Sequence, residues 1–165
     1  MEGGRSALPQ VLPDGEGEAF WVLGSLLLVK VTASQTDGRF CLVEQRAAHG
    51  MATPLHRQPT ADETFTVLDG ELRFDCGDGA PADAPAGTTI PVPAGAVHAF
   101  EVRTPTARWL DLTTASHETF FRAAGVPAPT RTRPPDTAPD AHAVAAALRN
   151  GVEILGPPPG QVAVP

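Results

Sequence analysis

Prolines and glycines interrupt this chain at such short intervals, from Pro9 through Pro105, that long helices have little room to form. Proline supplies no backbone N–H and clashes with a preceding helical turn, whereas glycine marks positions where the chain must bend. Eighteen prolines and 16 glycines in 165 residues therefore imply many turns between short extended segments. Those segments are legible as Phe20-Trp21-Val22-Leu23, Leu26 to Val31, Arg39 to Gln45, Glu63 to Leu68, Glu71 to Phe74, and stretches over 88–92, 96–103 and 107–113. Short strands without intervening helices favour an all-β sandwich or barrel over an alternating strand-helix architecture. The length suits one principal domain with a substantial core.

Three regions differ in composition. Residues 1–18 are rich in glycine, proline and acidic side chains and read as an N-terminal arm. Residues 19–125 carry the strands and end in a short helix that Ser116 is placed to cap and Gly125 to stop. Residues 126–165 hold a proline-rich connector, then a predicted helix over 141–149 behind Asp140, and a tail expected to pack on the strands or on a partner. Asp69-Gly70 between two apolar runs predicts a hairpin. Cys41 and Cys76 fall in predicted strands and read as two buried thiols, too few for a disulfide framework.

Charge narrows the partners. The formal net charge is −7 and no cluster of Lys and Arg offers a duplex-binding face, which argues against nucleic acid. The apolar run around Leu26 to Val29 is too short to span a bilayer, and the first residues lack a basic, signal-like start, so a cytoplasmic location is expected.

The chemistry-bearing residues lie around the predicted hairpin. His56 and Gln58 are two apart and share a face if the segment is extended. Glu63 opens the next strand, and a turn at Pro93-Ala94-Gly95 leads to His98 on a later one. Imidazole, amide and carboxylate donors together suit Zn, Fe, Ni, Co or Mn. On spacing alone His56 and His98 read rather as polar residues at turn edges and Glu63 as an exposed charge, while Asp62 reads either as an acceptor for a ligand or as a solvated neighbour of Glu63. Phe65, Phe74, Phe100 and Trp109 read as core residues or as the wall of an apolar pocket. His49, His117 and His142 read as surface or packing histidines.

The spacing of these residues resembles the cupins, in particular small bacterial single-domain cupins of the quercetin dioxygenase-like kind. Gly50, His56, Glu63 and Gly70 match the first cupin motif, with Gln58 where its second histidine usually stands. Gly87, Pro93, Gly95 and His98 match the second motif, while Val102 occupies its common terminal asparagine position. The resemblance implies a jelly-roll barrel, a homodimer and one divalent transition metal held by His56, Gln58, Glu63 and His98. It implies a metal-dependent enzyme acting on a small aromatic or polyketide-like molecule, with Gln58 and Glu63 in the chemistry. A dioxygenase is the first expectation. A non-oxidative cyclase or isomerase using a Lewis-acid metal is the second, and a non-catalytic binding or structural cupin the third.

Overall fold

The computed structural model describes residues 8–136 and 141–160. The expected cap at Asp140, the first seven residues of the arm and the last five of the tail lie outside the described residues. The described residues form β1 (Glu18–Val22), β2 (Ser25–Val31), β3 (Phe40–Ala48), β4 (Leu55–Arg57), β5 (Glu63–Asp69), β6 (Glu71–Asp75), β7 (Ala82–Pro85), β8 (Thr89–Val92), β9 (Ala99–Val102), β10 (Thr106–Thr114), β11 (Val126–Pro127) and β12 (Glu153–Gly156). Two short helices, α1 (His117–Ala124) and α2 (Ala141–Arg149), follow β10 and the connector.

All strand pairs are antiparallel and fall into three sheets. The largest has the order β11-β1-β2-β3-β10-β5-β8, the second β7-β6-β9, and the third is the pair β12-β4. The expected closed jelly-roll barrel is therefore not formed. The edge strands β11, β8 and β7 carry Pro127, Pro91 and Pro85, which remove donors where a further strand would have to pair. Between β4 and β9 the ladder shrinks to isolated bridges, Ala52 with Glu101 and His56 with His98.

Asp69-Gly70 also departs from expectation. β5 pairs with β10 and β8, whereas β6 pairs with β7 and β9, so this turn is a corner between two sheets. Gly70 has φ of 74°, and a Cβ there would collide with the Thr106 carbonyl. The turn itself forms, but the partner of each strand is decided by burial of its apolar face.

That burial follows a period of two. Glu63, Phe65 and Val67 of β5 point inward, as do Ala107, Trp109, Asp111 and Thr113 of β10. One apolar cluster, containing Phe65, Phe74, Phe100 and Trp109, fills the space between the two larger sheets. A second joins Phe20, Val22 and Val43 to Phe120 and Phe121 of α1 and Ala143, Ala146 and Ala147 of α2. In α1 the apolar stripe runs through 117, 120, 121 and 124. Ser116 stands at the N-cap position but makes no side-chain capping bond. Gly125 is needed for packing, because a Cβ would lie 2.7 Å from Val22 Cγ2 on β1.

Cys41 is buried in β3 as expected, but Cys76 follows the end of β6 and is exposed; both thiols are free. The described part of the arm lies along its own chain, where Asp14 accepts from Arg46 at 3.0 Å and Arg108 at 2.8 Å. Among the described residues no helix is long and apolar enough to cross a membrane.

Candidate metal centre and its cavity

Backbone pairing brings the two motif histidines together. The His56 N–H donates to the His98 carbonyl at 3.0 Å, and the His98 N–H returns the bond to His56 at 2.9 Å. Their rings stand 4.3 Å apart. The turn preceding His98 is braced from two sides: Gly95 N–H donates to the Gln58 carbonyl, and Ala94 N–H to the Asp62 carboxylate. Asp62 thus supports the loop that delivers His98.

Each motif imidazole lies with Nδ1 against a carbonyl, His56 against Pro54 at 2.8 Å and His98 against Ala96 at 3.1 Å. Donation from Nδ1–H fixes the tautomer in which Nε2 carries a free lone pair, the form that ligates metals. Ligand atoms of His56, Glu63 and His98 all lie within 4.8 Å of one another. His98 Nε2 is 3.3 Å from Glu63 Oε2, yet it has no hydrogen-bond partner when Nδ1 holds the proton. A second buried acceptor, Gln58 Oε1, is also unpartnered, while Gln58 Nε2 donates to Glu63 Oε2 at 3.0 Å. Lone pairs facing one another in a buried site are unfavourable unless a proton or cation lies between them. The donor set therefore fits a divalent ion, with two imidazoles and a carboxylate as its core.

Electrostatics points the same way. Burial first, and His98 second, push the His56 pKa down to about 4, keeping the ring neutral. Burial raises the Glu63 carboxyl, but His98 and His117 outweigh that effect and hold it below the ordinary range, so Glu63 is ionised. Asp111 is fully buried beside it, with neither oxygen receiving a hydrogen bond. Burial, followed by the Glu63 charge, drives Asp111 well above the ordinary carboxyl range. Two adjacent buried carboxylates do not both ionise, and a protonated Asp111 can donate to Glu63.

These groups open onto a small cavity of about 60 Å³ between the two apolar clusters. Phe65 and Phe100 border it, whereas Phe74 and Trp109 lie in the core behind. Its roof comes from the chain's C-terminal part: Val144 and Ala147 of α2, then Val152 and Ile154. β12 is strapped to the ligand-bearing β4, with Ile154 opposite His56 and a 2.5 Å ion pair between Arg57 and Glu153.

Two residues at the centre were not singled out as site groups by sequence reasoning. His117 is buried, borders the cavity and places Nε2 at 3.4 Å from Glu63 Oε1. Its position on the apolar stripe of α1 was the available signal. Asp111 had one too, lying two residues from Trp109 on the inward face of β10. His49 and His142 are exposed, the latter bonded to the Ala123 carbonyl.

Parts of the chain resemble known proteins. Residues 43–113 match the cupin domain family. Quercetin 2,3-dioxygenase of Bacillus subtilis (strain 168) is 29% identical over 122 residues, covering 73% of this chain and 36% of the relative. The chain thus spans about a third of the length of that relative. Among solved structures, the polyketide cyclase RemF of Streptomyces resistomycificus superposes with a TM-score of 0.57 at 21% identity, over 66% of this chain and 80% of RemF. A predicted oxalate decarboxylase of Thermotoga maritima gives 0.58 at 15% identity, over 64% and 98%. At these identities the likeness to solved structures is one of fold alone.

Proposed function

We propose, for a chain that carries a cupin-superfamily domain related distantly to several cupin enzymes, a metal-dependent enzyme acting on a small aromatic or polyketide-like molecule. The observation that carries this reading is the buried group of His56, Glu63 and His98, with its unpartnered His98 Nε2, at the inner end of an apolar cavity. His56, Glu63 and His98 would hold a divalent ion of Fe, Zn, Ni, Co or Mn type, and Gln58 would add its Oε1 or orient an oxygen ligand. Such an ion supplies Lewis acidity, and redox chemistry where the metal allows it.

The chain's own residues set the conditions for the reaction. Phe65, Phe100, Phe120 and Phe121 offer flat apolar surface to a ring, and the α2 and β12 roof excludes water. Glu63, whose carboxyl is held below its ordinary range, would act as a base on a substrate proton that displaces one of its present partners. The dioxygenase reading draws on the Bacillus relative. A non-oxidative cyclase or isomerase draws on the likeness to RemF and on Gln58, whose neutral amide is a weaker donor than the imidazole expected there.

Oxygen uptake coupled to product formation, measured with flavonols and with poly-β-ketone analogues on metal-loaded protein, separates the two. Stoichiometric uptake supports the dioxygenase, and turnover under anaerobic conditions supports the cyclase. Stoichiometric metal without turnover of either class would leave the third reading, a binding or structural cupin. We further propose a cytoplasmic homodimer. Phe40 and Leu112 are exposed on the outer face of the large sheet, and solution mass across protein concentrations tests their pairing.

A further inference from the structure

Glu63 uses its two oxygens in different directions. Oε2 faces Gln58 Nε2 at 3.0 Å and His98 Nε2 at 3.3 Å, on the side of the ligand cluster. Oε1 faces His117 Nε2 at 3.4 Å, and His117 stands outside the group of ligand atoms that lie within 4.8 Å of one another. The imidazole of His117 is held in place by its neighbours on the same helix, with ring centroids 5.1 Å from Phe120 and 4.5 Å from Phe121.

We propose that His117 is a positioning residue for the metal centre: its Nε2–H holds Glu63 Oε1, so that Oε2 alone is presented to the ion. This rests on the metal reading above and deepens it. The physical need is specific to this chain. With Gln58 in place of an imidazole, the ion depends more heavily on its one carboxylate, and a carboxylate free to rotate about its last bond loses affinity through misorientation. Groups that orient ligating carboxylates commonly change metal affinity by about 10–100-fold when removed. His117 reaches Glu63 from α1, whereas Asp111 reaches it from β10, so the helix becomes part of the centre although it carries no ligand. A phenyl ring at 117 preserves packing against Phe120 and Phe121 but cannot donate, while a glutamine can donate through its amide.

The test is titration of the metal-stripped protein with Co²⁺, read by visible absorption and by X-ray absorption, in wild type and in His117→Phe, His117→Ala and His117→Gln. The expected result is a loss of Co²⁺ affinity of about 10–100-fold in the Phe and Ala variants, a changed absorption band, and substantial recovery in the Gln variant. Wild-type affinity and spectrum in folded His117→Phe or His117→Ala would overturn the proposal. So would a folded His117→Gln that binds as weakly as His117→Ala, or the loss of an imidazole scatterer in His117→Ala, which would make His117 a ligand. Wild-type protein that takes up no Co²⁺ would instead sink the metal reading itself, and this inference with it.

Discussion

His56 and His98 exchange both of their backbone hydrogen bonds, at 3.0 and 2.9 Å, and so the distance between their imidazoles is set by the main chain. The site is consequently preformed, and replacing either ring leaves the frame that carries it intact. His56→Ala and His98→Ala are expected to fold and to lose metal. At a free ion concentration of about 100 times the dissociation constant, wild type gains roughly 2.7 kcal/mol of stability. Both variants lose that gain, which thermal unfolding with and without the ion measures.

Gln58→His introduces an imidazole where the cupin pattern usually has one. It also removes the 3.0 Å bond from Gln58 Nε2 to Glu63. A net gain in affinity is expected, because a neutral amide is replaced by an imidazole ligand while Glu63 Oε1 still faces His117 Nε2. Isothermal titration with Zn²⁺ on both proteins reports the direction, and weaker binding by the variant would show that the amide's hold on Glu63 matters more.

Acid destabilises the metal-free protein partly through His56. Its folded pKa of about 4 lies below the ordinary histidine value, so between roughly pH 6.5 and 4 the unfolded state binds more protons than the folded one. Stability therefore falls as the pH drops through that window, and the slope from this group ends below the folded pKa. His117, also lowered by burial, acts with the same sign. Denaturant unfolding at pH 7 and pH 4.5 is expected to show a smaller loss for His56→Gln than for wild type.

The two thiols separate cleanly. Burial, with Glu118 and Asp111 adding to it, pushes the Cys41 pKa up to about 12, whereas Cys76 is exposed. A disulfide reagent at pH 8 is expected to label one thiol in the folded protein and two in denaturant, with Cys76→Ser abolishing the native reaction.

Much of the candidate site was legible because its donor residues follow a local spacing in the chain. His56 and Gln58 share a face, Glu63 begins an alternating run, and Pro93-Ala94-Gly95 turns into His98. The helix over 141–149 was legible through its alanines. Closure was not, since strand pairing depends on distant segments: Asp69-Gly70 gives the turn but cannot say whether β5 and β6 pair or part. His117 shows the same limit from another direction. A histidine on an apolar helical stripe has one appearance in sequence whether it faces a phenylalanine or a carboxylate, and only the docking of α1 beside β5 and β10 brings it to Glu63. Cys76 was assigned to a strand because the end of β6 depends on its pairing with β9, which stops at Asp75.

Metal content by elemental mass spectrometry, on protein purified without an affinity metal column, decides whether His56, Glu63 and His98 hold an ion. Close to one transition-metal ion per chain is expected, falling to background in His98→Ala. A wild-type chain that carries no such ion, and takes up none when supplied with Fe²⁺, Zn²⁺, Ni²⁺, Co²⁺ or Mn²⁺ under reducing conditions, would contradict that assignment.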